Sequence, residues 1–137
     1  MDEEQVFHEV EHTADRAFRA QGRDLRELFA SAAQAMFAIQ GPPSGEPATL
    51  VREIEVQGLD RETLLVNWLN ELLYQQEAHG EGYERFEIVE ISEQQLRARI
   101  HGHPEAAPRR IIKAATFHNL QIKTGPNGWE ATVVVDV

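Results

Sequence analysis

Trp129-Glu130-Ala131-Thr132-Val133-Val134-Val135-Asp136-Val137 follows a Gly125-Pro126-Asn127-Gly128 turn and runs to the last residue. Successive side chains of an extended strand point to opposite faces. Trp129, Ala131, Val133, Val135 and Val137 therefore share one face, and Glu130, Thr132, Val134 and Asp136 the other. An apolar, β-branched row opposite a more polar one predicts a strand with one side on a core.

Further strands are expected upstream. Residues 5–12 alternate, with Val6, His8 and Val10 opposite Phe7, Glu9 and Glu11, and residues 16–21 place Phe18 and Ala20 inward. Residues 48–57 return as a strand, with Ile54 and Val56 inward. The last third reads as strands at 83–91, 94–102, 110–117, 118–124 and 128–136, divided by Pro104, Pro108 and the final turn. Two helices interrupt them. One starts at Asp24-Leu25-Arg26-Glu27, where Asp24 can accept from free backbone N–H groups and Glu27 can reach back. Its Leu25, Leu28, Phe29, Ala32, Met36 and Ile39 recur at helical spacing. The loop Gly41-Pro42-Pro43-Ser44-Gly45-Glu46-Pro47 ends it. Asp60 caps the other helix, which turns Leu65, Trp68, Leu69 and Leu72 to the core and Asn67, Asn70, Glu71 and Tyr74 to another face, and Gly80 and Gly82 stop it. Helices set among strands without regular alternation predict an α+β fold, a two-layer sandwich with two main helices on mostly antiparallel or mixed sheet.

At 137 residues the chain is expected to form one domain, 1–137. It has no cysteine, which excludes disulfides, thiolate metal sites and thiol catalysis. Thirteen basic against 23 acidic residues give a net charge of −10, which argues against a direct grip on a nucleic-acid backbone. Such a protein can still dock on a basic partner and gain association rate from the opposite charge. The start, Met1-Asp2-Glu3-Glu4, lacks the features of a signal peptide, and no apolar run is long enough to span a bilayer, so a cytoplasmic protein without membrane contact is expected. Phosphate loops, dinucleotide fingerprints, nucleophile elbows and zinc-helix motifs are all missing. His101 and His103 share a strand face with Arg97 and Arg99 and read as a solvated basic stripe. Trp68 and Trp129 fall on core-facing positions, which favours packing over base stacking.

Four blocks resemble the archease family. They are Phe7-His8-Glu9-Val10-Glu11-His12-Thr13-Ala14-Asp15 at the opening, Leu64-Leu65-Val66-Asn67-Trp68-Leu69-Asn70-Glu71-Leu72-Leu73-Tyr74 in the second helix, Lys113-Ala114-Ala115-Thr116-Phe117-His118, and Val133-Val134-Val135-Asp136-Val137. They occur in the family's order and span nearly the whole chain. The resemblance implies a protein cofactor, not itself an enzyme, that activates the GTP-dependent RNA ligase of tRNA splicing and RNA repair. It would promote that ligase's guanylylation and turnover and reach RNA only through it.

Taken alone, Asp15 reads as a turn residue and Asp136 as a solvated strand end, since surface aspartates are common. If the two ends of the chain meet, three carboxylates converge, and such a cluster takes up protons or binds a cation. The resemblance implies that they meet, with Asp15, Asp136 and the terminal carboxylate of Val137 as metal ligands. An all-oxygen set suits calcium, magnesium or manganese and suits zinc or copper poorly. Arg16 departs from the family pattern and would compete with the metal if it faced Asp15. His12 either supports Asp15 by a hydrogen bond or faces water. Lys113 either balances the carboxylates, meets the partner, or is simply exposed. His118 is in phase with Thr116, Leu120 and Ile122 and is expected to be a buried, hydrogen-bonded histidine ahead of any ligand role. Two other functions compete: a free-standing divalent-metal-dependent hydrolase using the same carboxylates, and a chaperone-like adaptor acting through apolar surface.

Overall fold

Asp24 and Asp60 stand where a strand gives way to a helix, and each closes the first helical turn. The computed structural model describes residues 7–9, 15–41, 45–105 and 111–137. In chain order its elements are β1 (Phe7–Glu9), β2 (Asp15–Gly22), α1 (Leu25–Gln40), β3 (Leu50–Gln57), α2 (Arg61–His79), β4 (Gly82–Ile91), β5 (Gln95–His103), β6 (Ala114–Ala115), β7 (Ile122–Gly125) and β8 (Gly128–Asp136). Asp24 accepts from the Glu27 N–H and Asp60 from the Thr63 N–H, each at 2.8 Å, satisfying donors that a helix start leaves free. Glu27 reaches back as expected, but to the Arg23 N–H at 2.7 Å, one residue beyond the cap. A glycine lies two residues before each cap. A Cβ on Gly22 would stand 2.3 Å from the Leu28 nitrogen, and one on Gly58 2.6 Å from the Leu64 nitrogen. The two corners therefore share one geometry, with incoming strand backbone laid directly on the first helical turn. At its other end α2 stops at Gly80, whose left-handed backbone (φ 67°) lets its N–H return to the Gln76 carbonyl.

The strands form two sheets, and every ladder among the described residues is antiparallel. The larger orders β1-β2-β8-β6, with β7 also paired to β8; the smaller orders β3-β5-β4. Strand β8 is thus the hub of the larger sheet, and its Ala131, Val133 and Val135 are buried, as the alternation predicts. Helix α1 packs on β2 of one sheet and β4 of the other, while α2 lies against β3, β6 and α1. Trp68 fills the space between them. It is fully buried, donates its indole N–H to the Phe29 carbonyl at 3.0 Å, and meets the Phe86 ring edge-on at 6.4 Å. This is the expected α+β architecture, with the sheet divided in two. Among the described residues no helix is long and apolar enough to cross a membrane.

Two expectations need correction. The strands predicted over 110–117 and 118–124 shrink to Ala114–Ala115 and Ile122–Gly125. In this stretch Ile112 and Ala115 are buried while Lys113 between them is exposed, a spacing of three that breaks the strand's period of two. His118 is accordingly not buried. It lies exposed in a turn with Asn119, whose φ of 53° is left-handed. The predicted first strand is described only over Phe7–Glu9.

The basic stripe of β5 is exposed less than expected, because carboxylates of β3 and β4 flank it. Arg97 meets Glu90 at 3.1 Å, Arg99 meets Glu53 and Glu87 at 3.5 Å each, His101 lies 3.3 Å from Glu87, and His103 lies 3.3 Å from Glu84. Glu81, only 6% exposed, is gripped by Arg52 through two bonds of 2.7 and 2.8 Å and accepts the Tyr83 hydroxyl at 2.8 Å. The Arg52 bonds hold the Glu81 carboxyl below its ordinary range, and burial pushes the Tyr83 phenol up.

Candidate metal centre

The site is made by strand register. β2 and β8 run antiparallel with Asp15 opposite Asp136, Arg16 opposite Val135 and Ala17 opposite Val134. Paired residues project from the same side of a sheet. Phe18, Val133 and Val135 are buried on the inner side, so alternation puts Asp15 and Asp136 together on the outer side. Arg16 falls in the inner phase, opposite to Asp15.

Like charges placed directly across a ladder destabilise it unless a proton or cation is shared between them. Asp136 registers that conflict. Its carboxyl is held above the ordinary range, first by its hydrogen bond to Asp15, then by burial and by the Asp15 charge, while the Lys113 charge pulls the other way. The pair therefore offers side-chain oxygen donors of the kind that a hard cation takes. Val137 follows directly, its side chain packed against the core, which fixes the main chain next to Asp136. Among the described residues no group of three or more His, Cys, Asp or Glu side chains is arranged to hold a metal. Two side-chain carboxylates are what the described side chains offer, so an ion held here would draw further ligands from the main-chain terminus, water or a partner.

The other candidates divide. Lys113 is brought to the pair: its N–H donates to the Asp136 carbonyl at 2.7 Å, its neighbour Ala114 pairs with Asp136, and its exposed ammonium favours the ionised carboxylate. His118 is not brought to it. The ladder passes Asp136 and reaches Val134 at Thr116, and His118 lies beyond, its ring 3.4 Å from the Asn119 amide. His12 lies outside the described residues.

Reading the sequence missed Asn70. Its carboxamide accepts from the Ala115 N–H at 2.8 Å and donates to the Ala115 carbonyl at 3.1 Å. A little over two turns earlier on the same helix, Glu62 accepts from the Ile122 N–H at 3.0 Å. The only signal available was a polar residue on α2 between core-facing Trp68, Leu69 and Leu72.

Comparison with known proteins agrees with this architecture along its length. Residues 7–137 match the model of the Archease protein family. Protein archease of Methanosarcina acetivorans is 39% identical, with 96% of this chain and 95% of the relative aligned. Protein archease of Pyrococcus abyssi is 37% identical, over 96% and 98%. A solution structure of a Methanobacterium thermoautotrophicum protein superposes with a TM-score of 0.77 at 32% identity, covering 96% of this chain and 97% of that one. A Thermotoga maritima crystal structure, described as an archease and possible chaperone, shares the fold with a TM-score of 0.68 at 20% identity, over 95% and 96%. With the family pattern met from the opening strand through the last residue, the chain belongs to the archease family.

Proposed function

We propose that this protein is a cytoplasmic, non-enzymatic activator of a GTP-dependent RNA ligase in tRNA splicing and RNA repair, and that it works through a divalent ion held by Asp15, Asp136 and the main-chain carboxylate of Val137. The observation that carries the reading is the direct pairing of Asp15 with Asp136, with Asp136 held above its ordinary range by its neighbour. The ligase is proposed as the partner because the archease resemblance implies it. A bound calcium, manganese or magnesium would neutralise the carboxylates and polarise the oxygens around it. The chain's own contribution is to hold two carboxylates on rigid, paired strands and to keep the Lys113 charge beside them. Net charge −10 favours docking on a basic, RNA-binding enzyme, with RNA reached through that enzyme only.

The test is multiple-turnover RNA joining by the cognate ligase, with and without this protein. Stimulation by the natural chain, and none by Asp15→Ala or Asp136→Ala variants that fold normally, is the expected result; equal stimulation by either variant overturns the site. An adaptor reading draws on the exposed Tyr74, Ile111 and Phe117 and on the description of the Thermotoga maritima relative as a possible chaperone. It requires both aspartate variants to stay active. Turnover of phosphodiester or ester substrates by the protein alone would favour a hydrolase instead.

A further inference from the structure

We propose that Asn70 of α2 is a positioning residue for the carboxylate pair, acting as a one-residue substitute for a neighbouring strand that holds the segment 113–116 against Asp136. This rests on the metal-site reading given above.

A strand at the border of a sheet leaves alternate N–H and C=O groups without a ladder partner. Segment 113–116 is such a border. Its inward bonds go to β8, from the Lys113 N–H to the Asp136 carbonyl at 2.7 Å and from the Thr116 N–H to the Val134 carbonyl at 2.9 Å. The Thr116 hydroxyl adds a second bond to that same carbonyl at 2.9 Å. Ala115 turns its N–H and carbonyl the other way, and Asn70 takes both. A primary carboxamide carries one acceptor and an N–H donor side by side, the same pair that an adjacent backbone presents across an antiparallel ladder. Asp would lose the donor and Ala would lose both. The side chain reaches from a helix whose neighbouring Trp68, Leu69 and Leu72 are fully buried, so its base is rigid.

The consequence falls on the carboxylate pair because the segment is short. β6 has two residues, and its pairing with β8 ends at Ala114 opposite Asp136. On one side of Lys113 the Ile112 N–H is held by the Gln40 carboxamide oxygen at 3.3 Å; on the other, among the described residues, Asn70 is the side chain that fixes Ala115. With Ala115 released from Asn70, the Lys113 charge and the backbone that braces Asp136 would move together.

The experiment uses Mn2+ as the probe, with calorimetric titration of the full chain carrying Asn70→Ala, Asn70→Asp or, as a control, Glu62→Ala. Glu62 makes the same kind of helix-to-backbone bond, but to Ile122, away from the pair. Asn70→Ala is expected to weaken Mn2+ binding about tenfold, the lower end of the loss from removing outer-shell support. Glu62→Ala is expected to lower the melting temperature by a similar amount while leaving Mn2+ affinity unchanged. Equal affinity in Asn70→Ala and the natural chain, or equal loss in both variants, overturns the positioning role. Amide hydrogen exchange provides a second readout that needs no ion. Asn70→Ala should speed exchange at Lys113 and Thr116, and unchanged protection there also overturns the proposal. A natural chain that binds no Mn2+ overturns the metal-site reading instead, and the exchange rates then decide the role of Asn70 alone.

Discussion

The outer faces of the two sheets treat charge in opposite ways. On the three-stranded sheet the cations of β5 lie between the carboxylates of β3 and β4, and Arg97, Arg99, His101 and His103 each have an acidic neighbour within 3.5 Å. On the larger sheet two aspartates stand directly opposite each other, with Lys113 as the nearby cation that the Asp136 carboxyl senses. One sheet sets opposite charges across its strands, whereas the other sets like charges across one ladder. The contrast separates cross-strand ion pairs from a cross-strand pair of carboxylates whose neighbour raises the Asp136 carboxyl.

The strongest break in that contrast is Asp136→Asn. It should abolish Mn2+-dependent stabilisation and reduce ligase stimulation by about tenfold or more, the scale of disrupting a metal's support. In chelator the same variant should melt slightly higher than the natural chain, by about 0.2–1 kcal/mol, because a like-charge cross-strand pair is gone. Its pH dependence has a defined sign. The raised folded-state Asp136 carboxyl contributes stability that is complete below the ordinary aspartate range and is lost as pH rises through the raised value. Over that window the chelated natural protein should therefore lose stability relative to Asp136→Asn, as thermal melts of both across the acid range would show.

Glu81→Gln sharpens the comparison from the other side. Gln keeps one acceptor oxygen but loses the charge and sets an NH2 where the second oxygen accepts from Arg52, which should cost about 1–3 kcal/mol in urea unfolding, with ion binding untouched. Here the sign reverses. Glu81 is held below its ordinary range, so its contribution is present above that range and fades as pH falls through the lowered value. The smallest effect belongs to Arg99→Ala. Its two carboxylate contacts are long and its side chain is 45% exposed, so urea unfolding should register only about 0.2–1 kcal/mol.

Much of this was legible in the chain itself. Asp24, Asp60 and Gly80 marked helix ends because capping chemistry is local, and the buried stripe of α2 followed from its period. The terminal strand was readable because one of its faces is apolar along its whole length. The segment from Ile112 to Leu120 was not. Its backbone is completed by Asn70 from a helix 45 residues away and by Gln40 from the other helix, 72 residues away, and a bond to a side chain leaves no alternation in the strand that receives it. His118 was misplaced for the same reason, since inward phase has no meaning where the strand has ended. The β5 stripe showed the opposite failure. Its phase was right, but its acidic neighbours lie on other strands, and register between strands is invisible from one of them. As for the carboxylate pair, alternation separated Asp136 from the core-facing row, but only the family resemblance brought Asp15 across to meet it.

The twin strand-to-helix corners at Gly22 and Gly58 also bear on how the molecule can be handled. Main chain touches main chain there, so neither corner has room for a tag, a graft or a fused module. At Gly45 an added Cβ would meet nothing within 4 Å. A fluorophore or tether belongs in that connection, one or two residues along at the exposed Glu46 or Pro47, where the positive φ of Gly45 itself is left undisturbed.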